Sequence, residues 1–389
     1  RLTGLRSWAG LSSLAAAFAY GGLAGFGLPV QRALSMATLA LSGTILNRKV
    51  TAARLFSIAL VIVTLVDPLA SIRTGFWLSF GAVFYLLYVF AGRVEPGRHW
   101  LWRAVRAAML SQWVVWIGMT PLLLYLVSQV SLVAFVVNLV AIPVVGLLVI
   151  PALIVGTPLL LLFEPLGEIC IQFGAAVLDQ VWRFLSMAAA ADWVYYGGGV
   201  SLGGVLIALL GSLVILAPRG IMPRWIGMIM VMPLLTSPNA LPAGSVELAV
   251  LDVGQGLAVV VRTSHGVVLY DTGPQAGDRF DAGDQIVTPF LRRNGTTRWL
   301  DWLIVSHGDN DHAGGAAAVR RNFLVGREYS EAGDIDGHGC QSGQWIRNVD
   351  VGLRLLSTPG TGFSDNDRSC ILLIETEGFE KYLDKKFTG

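Results

Sequence analysis

The sequence predicts a polytopic α-helical membrane domain followed by a layered α/β sandwich, because two parts of the chain differ sharply in composition. Of the 389 residues, 54% are hydrophobic and only 14% are charged. Up to about residue 236, apolar runs follow one another, several of them near the length of about 20 residues that a membrane-spanning helix requires. After a Pro- and Ser-containing linker at 237–245, short alternating segments contain Asp, Gly and Arg. We therefore expect a membrane domain at 1–236 and a soluble domain at 246–389.

The apolar runs predict eight or nine membrane spans. Their approximate positions are 9–30, 33–47, 53–66, 75–92, 105–127, 131–150, 151–163, 198–217 and 221–236. Residues 164–190 differ, since polar side chains recur there at intervals near 3.6. This period predicts an amphipathic helix that lies in the membrane interface or turns its polar face toward an aqueous path. A solvated surface helix is the alternative.

The positions of the basic residues predict the orientation of the membrane domain. The net charge is only +2, so the placement of charges is more informative than their sum. Three loops concentrate positive charge: Arg48, Lys49 and Arg54; Arg93, Arg98, Arg103 and Arg106; and Arg219 and Arg224. Cytoplasmic loops of membrane proteins carry an excess of Lys and Arg. The final span then ends outside the cytoplasmic membrane, which is where we expect the soluble domain.

The soluble domain begins with short strands and then alternates strands with helices. Strands are expected at 246–253, 257–262 and 267–270, and a helix interrupted by Pro289 at 284–293. A further apolar run at 302–305 resembles a buried strand. This alternation is typical of a layered α/β sandwich.

A cluster of His and Asp follows the run at 302–305. His307, Asp309, Asp311 and His312 place two imidazoles and two carboxylates within six residues. These groups are metal ligands, so the spacing predicts one metal cradle at the end of the strand. The alternative is a polar loop whose Asp residues only cap the next helix. Two upstream acidic residues also end strands, and we expect both near the cradle, Asp271 closer than Asp252.

The chain contains three cysteines, two of them in the domain expected outside the membrane. Cys340 lies in a Gly-rich loop and Cys370 at the start of an apolar run, so we expect them to form a disulfide. Two free thiols are the alternative. Cys170, in the amphipathic segment, is expected to be a small buried hydrophobe.

Other polar residues have a weaker case for function. His338, His265 and His99 are expected in solvated or structural positions. Three arginines near the His/Asp cluster have two interpretations, contact with phosphates or a solvated face. They are Arg292, Arg293 and Arg298.

These motifs together resemble a known family. His307-x-Asp309-x-Asp311-His312 is similar to the H-x-H-x-D-H signature of the metallo-β-lactamase fold, with Asp in place of the second His. That substitution, with residues 252–256 (DVGQG) and 271–273 (DTG) upstream, resembles the ComEC family of DNA-uptake competence proteins. The membrane part is also similar to that family, in 25–33 (GFGLPVQRA), Asp67-Pro68, 75–80 (GFWLSF) and 138–143 (NLVAIP).

The resemblance implies a multi-pass inner-membrane protein that passes one strand of exogenous DNA across the membrane. Its external metallo-β-lactamase-like domain would degrade the other strand with divalent ions, Zn²⁺ or Mn²⁺, two of them in the full-length protein. In the family pattern, His307 and Asp309 ligate the first ion, and Asp311 and His312 the second. Asp311 is the expected catalytic, water-activating residue. DNA, membrane lipid and other DNA-uptake proteins are the expected partners.

The sequence departs from the family pattern in ways that predict a fragment truncated at both ends. Residues 355–360 contain no His where a further ligand is expected, and the chain stops before the expected Thr-Gly-Asp turn. We therefore expect an incomplete sandwich, weak metal binding and little nuclease activity. Two other functions stay open: a membrane-anchored metallo-hydrolase acting on a lipid or small ester, and a DNA-binding lid without catalysis.

Overall fold

The computed structural model describes most of the chain and divides it into two compact units. The described residues are 2–25, 27–45, 51–91, 99–191, 193–218, 220–235, 241–277, 279–330, 338–348, 351–357, 369–376 and 379–383. The first unit comprises Arg1–Leu126, Ser131–Tyr195 and Val205–Pro233, and the second Val127–Val130, Tyr196–Gly204 and Leu234–Gly389. Several residues of the sequence argument lie outside the described residues: Arg48, Lys49, Arg93, Arg98, Arg219, linker residues 237–240 and the segment 358–368.

The first unit is helical. Its α-helices are α1 (Leu2–Leu23), α2 (Leu28–Ile45), α3 (Ala52–Val66), α4 (Thr74–Phe90), α5 (Trp100–Leu126), α6 (Ala134–Val144), α7 (Ile150–Leu162), α8 (Glu164–Ala190), α9 (Leu202–Leu216) and α10 (Arg224–Val231). Pro68–Ile72 and Met232–Leu235 form 3₁₀ turns. Strands β1 (Gln129–Ser131) and β2 (Val194–Tyr196) pair in a two-stranded sheet.

The expected span at 9–30 is wrong. α1 ends at Leu23, and Gly25 follows with a φ of +70° before α2 starts at Leu28. A glycine in the left-handed region commonly ends a helix, because it turns the chain out of the helical path without a Cβ clash. Hydrophobicity alone does not detect this break, since the residues on both sides are apolar.

The two expected spans at 131–150 and 151–163 form one helical stretch. Ala134–Leu162 is 29 residues long, and a π-helical segment, Val145–Val149, joins α6 to α7. In this segment the Ile150 N–H donates to the Val145 carbonyl, five residues back. Pro151 follows directly and has no N–H, so it cannot donate to the carbonyl four residues before it. A π turn accommodates this missing hydrogen bond.

Two helices of the described part are long and apolar enough to cross a membrane. They are Trp100–Leu126 and Ala134–Leu162, and four shorter apolar helices accompany them: Ala52–Val66, Thr74–Phe90, Leu202–Leu216 and Arg224–Leu235. Many of their large apolar side chains are exposed, including Leu147 and Leu161. Such side chains suit contact with lipid.

α8 covers the segment expected to be amphipathic, and glycines pack it against α7. Its polar side contains the pair Asp179–Arg183, 3.4 Å apart, while Phe173 on the apolar side is 51% exposed. A Cβ on Gly167 would collide with the Leu160 backbone nitrogen, so the helix backbones touch there. The exposed aromatic ring argues against a helix that is simply solvated.

The described part of the second unit contains a six-stranded sheet, a four-stranded sheet and a two-stranded sheet. Its strands are β3 (Val246–Val250), β4 (Val259–Thr263), β5 (Gly266–Tyr270), β6 (Gln275–Ala276), β7 (Phe280–Asp281), β8 (Trp299–Val305), β9 (Leu324–Ser330), β10 (His338–Gly339), β11 (Gln344–Asn348), β12 (Gly352–Leu356), β13 (Ile371–Thr376) and β14 (Phe379–Leu383). Six strands pair in the order β10-β9-β8-β5-β4-β3, and four in the order β11-β12-β13-β14. β5, β8, β9 and β10 are parallel, and the other pairs of these two sheets are antiparallel.

The six-stranded sheet is buried on both faces. Val259, Val261 and Tyr270 lie in one apolar cluster with Leu353 and Leu372 of the four-stranded sheet. The alternate residues form a second cluster with the helices that cover the other face: Val260, Leu269, Leu303, Leu291 and Val319. Those helices are α11 (Thr288–Arg293) and α13 (Ala316–Asn322), and the expected helix at 284–293 starts as a π turn, Gly283–Val287. The described part is thus a helix layer over two sheets.

The packing of α7 on α8 gives a stability prediction. Gly167→Val is expected to destabilise the 389-residue chain by about 1–3 kcal/mol, because the added side chain overlaps backbone that has no room to move. Thermal unfolding of the protein in detergent measures the effect. The control is Gly203→Val, since a Cβ at Gly203 would meet nothing within 4 Å. Equal midpoints for the two variants would contradict the close packing.

Candidate metal centre

The parallel pairing of β5 with β8 positions the candidate site. Tyr270 is in register with Ile304, so both strands end at the same edge of the sheet. Asp271 follows β5, and Ser306 and His307 follow β8. Asp271 has a φ of +56°, an unusual value for a residue other than glycine, and its N–H donates to the Ile304 carbonyl at 2.8 Å. Strained backbone of this kind is concentrated at functional sites.

The Asp271 carboxylate is fully buried and accepts three hydrogen bonds. Oδ1 accepts from the Ser306 N–H at 2.7 Å, and Oδ2 accepts from the Ser306 hydroxyl at 2.8 Å. Oδ2 also lies 2.7 Å from Nδ1 of His312. Burial raises the pKa of Asp271 above its ordinary value, while the bonds from His312 and Ser306 oppose that shift.

These contacts assign the tautomers of both imidazoles. His312 donates its Nδ1 proton to Asp271, because the carboxylate only accepts. The Ser306 hydroxyl also donates to Asp271, so its oxygen accepts from Nδ1 of His307 at 2.9 Å. Both rings therefore present the lone pair of Nε2. A carboxylate behind a metal-binding histidine fixes the ring in this way.

The Nε2 atoms face the two remaining carboxylates. His307 Nε2 lies 3.3 Å from Asp309 Oδ2, and His312 Nε2 lies 3.4 Å from Asp311 Oδ2. The two ring centroids are 4.1 Å apart. Ligand atoms of His307, Asp311 and His312 all lie within 4.8 Å of one another, and Asp309 stands beside His307. Three of the four residues expected from the sequence thus form one cluster, and Asp309 lies next to it at His307.

The interpretation of the Asp residues as helix caps is not supported. Asp309 occupies the N-cap position of a short helix, α12 (Asn310–Ala313), but its side chain makes no capping hydrogen bond. The side chains of Asp309 and Asp311 are 54% and 52% exposed, while the imidazoles are almost fully buried. The carboxylates therefore form the open side of the cradle.

Two glycine-containing segments hold the backbone of the cradle. Gly256, with a φ of +148°, lies so close to the Asp311 carbonyl that a Cβ would collide with it, and the Leu257 N–H donates to the same carbonyl at 3.1 Å. Thr272 donates its N–H and its hydroxyl to the His312 carbonyl, at 2.8 and 2.9 Å. Asp252 is exposed and accepts from the Gly254 N–H at 3.3 Å, which shapes the first segment.

A disulfide borders the site. Cys340 and Cys370 are joined by an S–S bond of 2.07 Å, with Cα atoms 5.9 Å apart. The Cys370 N–H donates to the Ser306 carbonyl at 2.9 Å, and the Tyr270 hydroxyl donates to the Cys370 carbonyl at 2.7 Å. The Cys370 backbone thus connects the start of β13, in the four-stranded sheet, to the residue next to His307. Cys170 is a free, partly exposed cysteine.

Ser306 and Arg292 have roles that the sequence did not indicate. Ser306 directly precedes His307 in the sequence, but only the strand register reveals that its hydroxyl connects Asp271 with His307. Arg292 is half-buried and makes contacts within its own unit, so the expected solvated face is not what the structure shows. Its guanidinium donates to Gln129 and Asn322, both at 2.9 Å, and lies 4.5 Å from the Tyr196 ring centroid. The side chain of His338 lies outside the described residues.

The buried carboxylate gives a prediction for metal affinity. Asp271→Asn keeps the shape of the side chain but removes an acceptor, so His312 loses its fixed orientation. We expect affinity for Zn²⁺ or Mn²⁺ to fall by about 10–100-fold, measured by competition with a fluorescent chelator. Asp284→Asn is the control, since this exposed carboxylate accepts from Asn322 away from the imidazoles. Unchanged affinity in Asp271→Asn would show that Asp271 does not orient the ligands.

Comparison with family models matches the two parts of the chain separately. Residues 1–221 match the model described as "Competence protein", and residues 251–376 match the metallo-β-lactamase superfamily. The metallo-β-lactamase fold implies divalent metal binding, in agreement with the cluster of His307, Asp311 and His312. The two long apolar helices fit the membrane association of competence proteins.

Curated relatives align along most of the chain. "Competence protein ComA" of Neisseria gonorrhoeae is 31% identical over 376 residues, which are 96% of this chain and 52% of that protein. "Recombination protein 2" of Haemophilus influenzae is 25% identical over 92% of this chain and 50% of that protein. "ComE operon protein 3" of Bacillus subtilis is 26% identical over 78% and 41%.

The chain spans about half the length of the relatives named above. The competence model alone covers more than half of the 389 residues, and the metallo-β-lactamase model follows it in the order expected from the motifs. The chain therefore belongs to the ComEC family of competence proteins.

Proposed function

We propose that this chain acts in DNA uptake during natural transformation. Its helical unit passes one DNA strand across the cytoplasmic membrane, and its sandwich domain hydrolyses phosphodiester bonds outside. One observation carries the proposal: an imidazole–carboxylate cradle, oriented by Asp271, occurs in one chain with a helical part that matches competence proteins. The name of the Neisseria relative, a competence protein, supports the same role.

The residues of the cradle fit a divalent cation. When bound, such an ion polarises a phosphodiester and activates a water. We assign His307 and Asp309 to one ion and Asp311 and His312 to a second, since the donor atoms of each pair already lie 3.3–3.4 Å apart. Asp309 stands where the family signature has an imidazole. The carboxylate oxygen of Asp309 is a harder ligand than an imidazole nitrogen, so Mn²⁺ or Mg²⁺ is suitable as well as Zn²⁺.

Asp311 is the residue we assign to proton transfer. Its side chain is 52% exposed, so a water can reach it, whereas His312 beside it is buried and held by Asp271. An ionised carboxylate next to bound water accepts a proton, and such groups contribute about 10²–10⁴-fold to rates.

The division of the chain supports a location of the sandwich domain outside. Val127–Val130 and Tyr196–Gly204, which follow α5 and α8, belong to the same compact unit as the sandwich. Gln129 and Tyr196 both contact Arg292 within that unit. These loops lack the basic residues of the cytoplasmic loops, so both are assigned to the outer side.

This assignment makes α8 a crossing helix. The chain leaves the outer side along Ala134–Leu162, and it returns along α8 to the second outer loop. In this orientation the polar pairs Glu168–Gln172 and Asp179–Arg183 lie within the membrane. Polar groups at that depth usually face a water-filled path, which fits a route for an ionic polymer. In the same orientation, α9 crosses the membrane to the cytoplasmic side and α10 crosses back to the outer side.

A reporter fusion tests the orientation. Alkaline phosphatase joined after Leu241 is expected to be active, because the enzyme folds only outside the cytoplasm. The matched fusion after Ala91, which ends α4 before the second basic loop, is expected to be inactive. The opposite pattern of activity at the two sites would overturn the orientation.

The substrate is tested in a longer homologue built on these residues. Asp311→Ala is expected to lower Mn²⁺-dependent hydrolysis of labelled double-stranded DNA by about 10²–10⁴-fold, without changing the unfolding midpoint. Glu247→Ala is the control, because this exposed carboxylate pairs with Arg262 at 2.8 Å, on a strand outside the metal cradle. Hydrolysis of a lipid or small ester in place of DNA would support the anchored hydrolase. Equal DNA hydrolysis in Asp311→Ala would remove Asp311 from the chemistry.

A further inference from the structure

A cavity of about 280 Å³ lies in the helical unit among the ends of α2, α3 and α4. Its polar lining includes Arg32, Arg73 and Asp67, and its apolar walls include Val63 and Phe76. None of these residues belongs to the metal cradle. We propose that this cavity, here named the Arg32 pocket, binds a phosphate of the single DNA strand that the proposed function carries inward.

The guanidinium of Arg32 is placed to receive an anion. Its Nε is buried and makes no hydrogen bond to the described residues. A buried donor without an acceptor is destabilising, and a phosphate oxygen would satisfy it. Gly75 leaves space for the guanidinium of Arg32, since a Cβ at Gly75 would lie 3.2 Å from one terminal nitrogen of that side chain.

The charges of the pocket favour a negative ligand. Two guanidinium groups and one carboxylate line the pocket, and the carboxylate of Asp67 already has partners. It accepts from the Leu69 N–H at 3.1 Å and lies 3.8 Å from Arg73. Arg73 is half exposed, so its side chain can turn toward a ligand that enters the pocket. The Arg32 pocket therefore carries a net positive charge that no described side chain neutralises.

The position of the pocket suits an entering strand. α3 starts beside the first basic loop, so the proposed orientation puts its end, near Val66 and Asp67, on the outer side. The start of α2, which contains Arg32, lies at the same end of the pocket. The apolar walls suit the face of a base next to a bound phosphate. A phospholipid headgroup carries the same phosphate chemistry, and the test separates it from DNA.

The first experiment measures the salt dependence of binding. The full 389-residue chain in nanodiscs of neutral lipid binds a fluorescent oligo(dT), and affinity is followed against salt concentration. Each phosphate contact with a single strand contributes about 0.7 to the slope. Arg32→Gln is expected to weaken binding and to lower the slope by about 0.7, while Arg32→Lys restores most of the slope. Arg262→Gln, at an arginine of the sandwich domain that pairs with Glu247, is expected to change neither.

Gly75→Ala keeps the test valid if Arg32→Gln fails to fold. This variant retains both charges and moves only the guanidinium of Arg32, so binding is expected to weaken without a change in the unfolding midpoint. Unchanged slopes in Arg32→Gln, with strong oligonucleotide binding by the wild type, would overturn the Arg32 pocket and leave the proposed function standing. No oligonucleotide binding by the wild type would count against the proposed function itself.

The second experiment locates the strand and includes lipid as an outcome. A benzophenone side chain at Ile62, which lines the pocket, is expected to crosslink oligo(dT). The same group at Val61 is not expected to crosslink oligo(dT), because Val61 is an exposed residue of α3 that does not line the pocket. The samples are repeated in nanodiscs containing phosphatidylglycerol. Crosslinking of lipid rather than DNA at Ile62, with oligonucleotide binding insensitive to Arg32→Gln, would assign the pocket to a headgroup and overturn the proposal.

Discussion

The burial of the Asp271 carboxylate is the constraint on which the site depends. A carboxylate removed from water is costly unless donors surround it. Here the donors are the backbone and hydroxyl of Ser306 and the imidazole of His312. By satisfying Asp271, these groups fix the direction of both imidazoles. The cradle is therefore organised before any ion arrives, and a bound cation would add positive charge close to a buried negative one.

The same edge of the sheet also explains the surrounding motifs. The Gly256 segment lies on the Asp311 backbone, and Thr272 holds the His312 carbonyl. On the other side, Cys370 connects the four-stranded sheet to Ser306, and Tyr270 donates to Cys370 from within the apolar core. Core packing and site geometry thus share residues. A change in the relative position of the two sheets would move the backbone that precedes His307.

Part of this structure follows from the sequence and part does not. The strand periodicity and the spacing of the His/Asp cluster are local, so they predict the place and members of the cradle. The break at Gly25 and the π segment Val145–Val149 are not visible in composition, because apolar residues continue through both. Ser306 and Arg292 depend on which strands and loops become neighbours, and local patterns contain no such information.

We infer that the two imidazoles, which Asp271 and Ser306 orient, bind one or more divalent ions through nitrogen. Pulsed electron paramagnetic resonance of Mn²⁺ bound to the chain, with histidine labelled by ¹⁵N, measures this directly. We expect hyperfine coupling from histidine nitrogen, which disappears when both His307 and His312 are replaced by Ala. Tightly bound Mn²⁺ without any coupling to histidine nitrogen would contradict it.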